Sequence, residues 1–201
     1  TYYALLAEKQ IFGEDYYYWK LYETAEQLKK LSDRGEGEAL LNPKASSLTF
    51  YQKGAWALHI LREQLGDEAF KIGIKNYLEL YSFKNVSTED FLKVMENASG
   101  QELSQFKKDW LEQSAFKANA ALNSLEKSAF IRKYLDVAAV REQSVGTKYN
   151  ILNGALDFPV NDYVGQEAVM QLQGTTAQEA LDLYKKAFET GNIFVRQAIA
   201  S

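Results

Sequence analysis

Apolar residues recur at intervals of three and four along most of this 201-residue chain, and that spacing constrains its fold more than any other feature. A representative run, at i, i+4, i+7 and i+11, is Gly54, Leu58, Leu61 and Leu65. The sequence contains only two prolines, so little in it would interrupt long helices. Because residues three and four apart share one face of an α-helix, the pattern predicts an all-α fold.

Short polar sequences indicate where the helices begin and end. Ser87-Thr88-Glu89-Asp90 is predicted to cap a helix, because a serine oxygen can accept from the backbone and acids suit the first turn. Thr176 and Glu179 have the spacing of a capping box. We expect a loop over residues 33–38 and a glycine-bearing break at 145–147. The helices between these signals are therefore expected to be separate.

Glycines punctuate the last third of the chain. They are predicted to separate short helices, so that this part resembles a stack of helical hairpins. The glycines concerned are Gly165, Gly174 and Gly191.

The residue content excludes several kinds of chemistry. The chain has no cysteine and one histidine, His59, which rules out disulfides, thiolate zinc sites, nucleophilic cysteines and two-histidine metal sites within it. His59 lies in a mostly apolar helical run and is expected to be a core histidine. The net charge of −4 does not favour nucleic acid as a partner. No apolar run approaches the ~20 residues of a membrane span, so none is predicted.

One segment resembles a known enzyme family. Residues 51–66, with the sequence YQKGAWALHILREQLG, are similar to a signature of the gluzincin zinc aminopeptidases, the family of aminopeptidase N. That signature consists of Y-x-K-G-A, an apolar helix with a Leu-Arg pair, and L-G-D-E-x-F, which Asp67, Glu68 and Phe70 complete here. The similarity continues in the same order through Thr88–Phe91 and Trp110-Leu111. Several motifs in one order are more specific than any single motif.

The resemblance implies one catalytic residue in this chain, Tyr51, the tyrosine of Y-x-K-G-A. Its phenol, with an ordinary pKa near 10, stays protonated at neutral pH and can donate to a carbonyl oxygen that gains negative charge during hydrolysis. Lys53, two residues later, is expected on another helical face, pointing into solvent. Gly54 is expected to allow a neighbouring helix to approach closely. Both of these roles are structural.

The resemblance also implies a domain organisation. Thr1-Tyr2-Tyr3-Ala4 is similar to the sequence that follows the family's third zinc ligand, so we expect a C-terminal fragment that lacks the zinc ligands. Residues 1–116 would be the C-terminal half of a thermolysin-like helical catalytic lobe. The family usually continues into a β-sandwich, but Ser114–Lys117 departs from its pattern. We therefore expect residues 117–201 to form HEAT-like helical hairpins.

These expectations lead to a functional hypothesis with two alternatives. The chain would be part of a zinc aminopeptidase that removes N-terminal residues from peptides, with zinc in the parent enzyme and no cofactor in this fragment. It would supply Tyr51 and a wall of the substrate cleft, and it would be inactive alone. One alternative is a non-catalytic helical scaffold that binds a protein or peptide partner between its hairpins. The other is a parent peptidase whose active site has decayed.

Overall fold

The computed structural model describes residues 1–175 and 177–200, and within them the regular structure is helical, with no β-strand. The all-α class is therefore confirmed. The elements are α1 Tyr2–Phe12, α2 Glu14–Asp33, a π-helix Thr49–Lys53 (π1), α3 Gly54–Leu65, α4 Asp67–Tyr81, α5 Thr88–Ser99, α6 Ser104–Phe106, a π-helix Lys107–Glu112 (π2), α7 Ala118–Leu125, α8 Ala129–Ala138, α9 Val145–Ala155, α10 Asp162–Met170, α11 Gln178–Glu189 and α12 Ile193–Ala200.

The chain divides into two compact units, one from Thr1 to Leu125 and the other from Glu126 onward. The domain limits expected at 116/117 and the HEAT-like character of the second part stay predictions. The capping box expected at Thr176 lies outside the described residues. Among the described residues, no helix combines the length and apolar character that crossing a bilayer requires.

The first unit is built around Trp56 of α3, whose side chain has no exposed surface. Its indole Nε1 donates to Thr24 Oγ1 of α2 at 3.1 Å, and its ring meets Phe116 edge-on at a centroid distance of 5.9 Å. Leu21 and Leu61 are also almost fully buried. The apolar stripes of α2 and α3 thus form the core that the helical spacing predicted.

Helices α4 and α5 form a hairpin in the first unit. Its second helix begins at the predicted cap, because Asp90 N donates to Ser87 Oγ at 3.2 Å and Ser87 N donates to Asp90 Oδ2 at 2.8 Å. The close approach between these helices occurs at Gly73, where a Cβ would lie 2.5 Å from Met95 Sδ. At Gly54 a Cβ would meet only the Leu40 side chain, at 3.7 Å, so the close helix contact expected there is wrong.

The second unit packs α8 to α12 around its own core of aliphatic side chains. Gly165 lies inside α10 rather than between helices, and a Cβ there would lie 2.5 Å from Val195 Cγ2 and 2.6 Å from Val160 Cγ1. The expected break at 145–147 is instead the first turn of α9. Gly174 and Gly191 do lie between helices, with φ of 75° and 74°.

Candidate active site

Tyr51 lies in the middle of π1, which continues directly into α3. Its side chain is 60% exposed, so its phenol is open to solvent and to a ligand. Single π-helical turns within longer helices occur frequently at functional sites. The candidate catalytic side chain therefore stands on a locally irregular turn at the start of a well-packed helix.

A cleft of about 500 Å³ opens beside Tyr51. Among the described residues that line it, none has a charged side chain. Apolar side chains predominate, including those of Leu40, Leu41, Phe50 and Leu111. The phenol is thus a polar group at the edge of a mainly apolar surface, where a hydrogen bond to a ligand is less screened than in open water.

Glu38 fixes the beginning of the helix that carries Tyr51. Its Oε2 accepts from Ser46 N at 2.8 Å, from Ser46 Oγ at 2.6 Å and from Thr49 Oγ1 at 3.0 Å. The hydrogen bond from the Ser46 hydroxyl is the largest of the effects that hold the pKa of Glu38 below its ordinary value. The carboxylate form is therefore the one that this arrangement favours.

Lys53 is 2% exposed, so the expectation that it points into solvent is wrong. Its Nζ donates to the carbonyl oxygens of Glu38 at 2.7 Å, Gln113 at 2.6 Å and Ser114 at 3.0 Å. Burial lowers the pKa of Lys53 to about 8, and the nearby negative charge of Glu38 opposes that shift. A residue two positions from Tyr51 does lie on a different helical face, but here that face is the packed one.

His59 is buried at 4% exposure, as expected for a core histidine. Its Nδ1 is 2.8 Å from the Tyr17 hydroxyl and its Nε2 is 2.8 Å from Ser124 Oγ, which in turn donates to Glu63 Oε1 at 3.0 Å. Both ring nitrogens therefore have partners within the first unit. The residue borders a second cavity, of about 740 Å³, rather than the cleft at Tyr51.

Metal-ligating side chains do not gather in the described part of the chain. Among those residues, no group of three or more His, Cys, Asp or Glu side chains is placed to hold a metal ion. The residues present therefore do not fit a zinc site. The hydroxyl groups that line the cleft, including that of Tyr51, can take part in hydrogen bonds there.

Part of this chain is similar to a known protein family. Residues 42–110 match the model of the peptidase family M1 domain. This segment, which we call the M1 segment, is similar to that family. The M1 segment contains Tyr51, Lys53 and His59, whereas Glu38 precedes it.

Individual relatives of the M1 segment are aminopeptidases. The chain is 33% identical over 122 residues to aminopeptidase N of Lactococcus lactis subsp. lactis, which covers 58% of this chain and 14% of the relative. It is 34% identical over 88 residues to probable aminopeptidase 2 of Sulfurisphaera tokodaii. That match covers 41% of this chain and 11% of the relative. It is 37% identical over 68 residues to aminopeptidase N of Escherichia coli K12. That match covers 34% of this chain and 8% of the relative. No solved structure matches the chain significantly.

The chain thus spans about a seventh or less of the length of these curated relatives. The comparisons thus show similarity to one part of these aminopeptidases. Sequence reasoning proposed Tyr51 as a catalytic residue through Y-x-K-G-A, which stays a prediction, but it missed Glu38 and misplaced Lys53. No local pattern signals Glu38, because its partners Ser46 and Thr49 are eight and eleven residues away.

Proposed function

We propose that this chain forms part of the catalytic domain of an aminopeptidase, with Tyr51 as its catalytic residue. The observation that carries the proposal is the position of the Tyr51 phenol. It is exposed beside a cleft lined by no charged side chain, and it lies inside the M1 segment. The aminopeptidase relatives support the class of reaction. The substrate is accordingly a peptide with a free N-terminus.

In this proposal the phenol acts on the carbonyl oxygen of the scissile peptide bond. Attack of water on the carbonyl carbon moves negative charge onto that oxygen, and a hydrogen bond from Tyr51 becomes stronger as the charge grows. A phenol has one O–H group, and this group is the donor in the proposed step. Removal of one such donor typically costs about 3–4 kcal/mol of barrier.

Zinc in the parent enzyme is also part of the proposal. A zinc ion bound in the parent enzyme would supply activation of the water. Because the described residues of this chain do not fit such a site, we propose that other residues of the parent enzyme hold the ion. What this chain contributes is the hydrogen-bond donor and part of the cleft wall.

The test is the Tyr51→Phe variant of the protein produced from its complete reading frame. Turnover of aminoacyl-p-nitroanilides is expected to fall by ~10²–10³ in kcat, with a smaller change in KM, because the lost bond strengthens only in the transition state. Tyr3→Phe is the matched control, since Tyr3 is 55% exposed but does not line the cleft. It should leave turnover unchanged.

Either of two results would overturn the proposal. Full turnover by Tyr51→Phe would remove the tyrosine from the mechanism. A complete wild-type protein without turnover of any aminoacyl-anilide, after zinc has been supplied, would favour the non-catalytic scaffold or the decayed peptidase instead.

A further inference from the structure

Two buried or half-buried charged side chains hold π1 at its opposite ends. We propose that Lys53 and Glu38 are positioning residues for Tyr51, fixing the π-helical turn and the cleft wall against which the phenol works. This inference rests on the proposed aminopeptidase function. We refer to the pair Glu38 and Lys53 as the brace.

The C-terminal end of π1 is fixed by the ammonium of Lys53. A lysine ammonium has three N–H donors, and here three backbone carbonyls lie within 2.6–3.0 Å of Nζ. With all three donors used, the group has a defined position. Its acceptors come from two chain segments, at Glu38 and at Gln113–Ser114, which are 15 and about 60 residues away in sequence.

The N-terminal end of π1 is fixed by the Glu38 carboxylate, which accepts two hydrogen bonds from Ser46 and one from Thr49. Thr49 is the first residue of π1 and is itself 2% exposed. The brace therefore uses the side chain of Glu38 at one end of the turn and its backbone carbonyl at the other. Tyr51 lies between these two attachments.

The same segments form the wall of the cleft. Leu40 and Leu41 follow Glu38 closely and line the cleft, as does Leu111. Leu41 N donates to Leu111 O at 3.2 Å, which joins the two segments beside the Lys53 ammonium. A displacement of Lys53 would therefore move the phenol relative to the surface that orients the substrate.

A further contact shows how closely these segments meet. A Cβ at Gly37 would lie 2.7 Å from the carbonyl oxygen of Ser114, which is closer than any side chain tolerates. The two backbones thus approach each other next to the ammonium that binds both. Buried polar groups with all their partners in place hold one geometry, whereas an apolar side chain of similar length would leave the three carbonyls without their donor.

The test is a double-mutant cycle in the protein produced from its complete reading frame. Lys53→Met keeps most of the length of the side chain and removes its ammonium group. Its kcat is expected to fall ~10–100-fold with little change in KM, because misplacement of a catalytic group by about 1 Å has effects of that size. Lys75→Met is the control, since Lys75 has 74% of its side chain exposed. It should keep wild-type kcat.

Non-additivity separates positioning from general loss of structure. If Lys53 acts through Tyr51, Lys53→Met should lower kcat by less than ~3-fold when Tyr51 is already phenylalanine. A loss in the double variant that equals the product of the two single losses would overturn the inference. So would unchanged kcat in Lys53→Met when Tyr51→Phe alone is strongly impaired.

A second variant covers the case in which Lys53→Met does not fold. Glu38→Leu removes the carboxylate that holds the other end of π1, and the same cycle with Tyr51→Phe applies to it. The expected result is again a loss of kcat that disappears in the Tyr51→Phe background, and additive losses would overturn the inference. Full turnover by Tyr51→Phe alone would overturn the proposed function and this inference together, so the two failures are distinguishable.

Discussion

At the scale of single residues, side chains two positions apart in π1 have opposite environments. Tyr51 is exposed in the cleft, whereas Thr49 and Lys53 on either side of it are buried. The resemblance to the family signature led to the tyrosine as a candidate because the residue types of that signature are characteristic. It did not indicate that Lys53 is buried, since the carbonyls that accept its hydrogen bonds are 15 and 60 residues away in sequence.

Gly165 gives a prediction for a single residue. Gly165→Ala should lower the free energy of unfolding by ~1–3 kcal/mol, because the new methyl group would collide with Val195 and Val160. The measurement is urea unfolding followed by far-ultraviolet circular dichroism. Gly154→Ala is the matched control, since a Cβ there meets nothing within 4 Å.

The control should behave oppositely to Gly165→Ala. Gly154 is inside α9, so alanine at this position should be neutral or should stabilise the protein by up to ~1 kcal/mol. Equal behaviour of the two variants would show that the close contact between α10 and α12 does not require glycine.

At the scale of elements, an ion pair in the second unit joins α10 to the turn after α8. Arg141 Nε and Nη2 donate to the two Glu167 oxygens at 2.7 and 2.8 Å, and Gln171 Nε2 donates to Oε1 at 2.7 Å. Glu167 is buried, and burial by itself would raise its pKa. The hydrogen bonds from Arg141 and Gln171 outweigh burial, so the pKa of Glu167 is lowered.

This pair predicts a pH dependence of stability. A carboxyl group whose pKa is lowered on folding contributes stability above its unfolded pKa and loses it as the pH falls through the folded value. The contribution of Glu167 should therefore be complete at neutral pH and should decline in acid, below about pH 4. Urea unfolding at a series of pH values measures it.

Arg141→Met should reverse the sign of this contribution. Without the guanidinium, burial dominates and raises the pKa of Glu167. The contribution of Glu167 to the free energy of unfolding should therefore increase as the pH falls from ~6 to ~4. At neutral pH we expect a loss of about 2–3 kcal/mol, below the ~3–5 of a fully buried pair because Arg141 is half exposed. Arg132→Met, at an exposed arginine of α8, should keep the wild-type pH profile.

Sequence reasoning about elements succeeded where a signal is local. The cap at Ser87 depends on residues three positions apart and was confirmed. The glycines at 146 and 165 were interpreted as breaks, yet both lie within helices. A glycine can serve either a turn or a close packing contact, and only the neighbouring element decides between them.

At the scale of the whole molecule, we predict that the 201-residue chain has no peptidase activity by itself. It has one histidine and no cysteine. The two ring nitrogens of that histidine are hydrogen-bonded in the core to Tyr17 and Ser124. The purified chain, incubated with zinc and dialysed, should retain well below one zinc per chain and should not cleave aminoacyl-p-nitroanilides. One tightly held zinc per chain, or turnover that a chelator abolishes, would contradict this prediction.

The sequence by itself determined the all-α class and the resemblance of residues 42–110 to peptidase family M1, and it led to Tyr51 as the candidate donor. Each of these depends on residue types at short, fixed spacings, which one stretch of chain contains completely. The tertiary structure alone decided that Lys53 is buried, that Glu38 holds π1, and which glycines allow helices to touch. Those features arise where segments distant in sequence meet, and hydrogen bonds and close contacts between such segments leave no periodic trace in the chain.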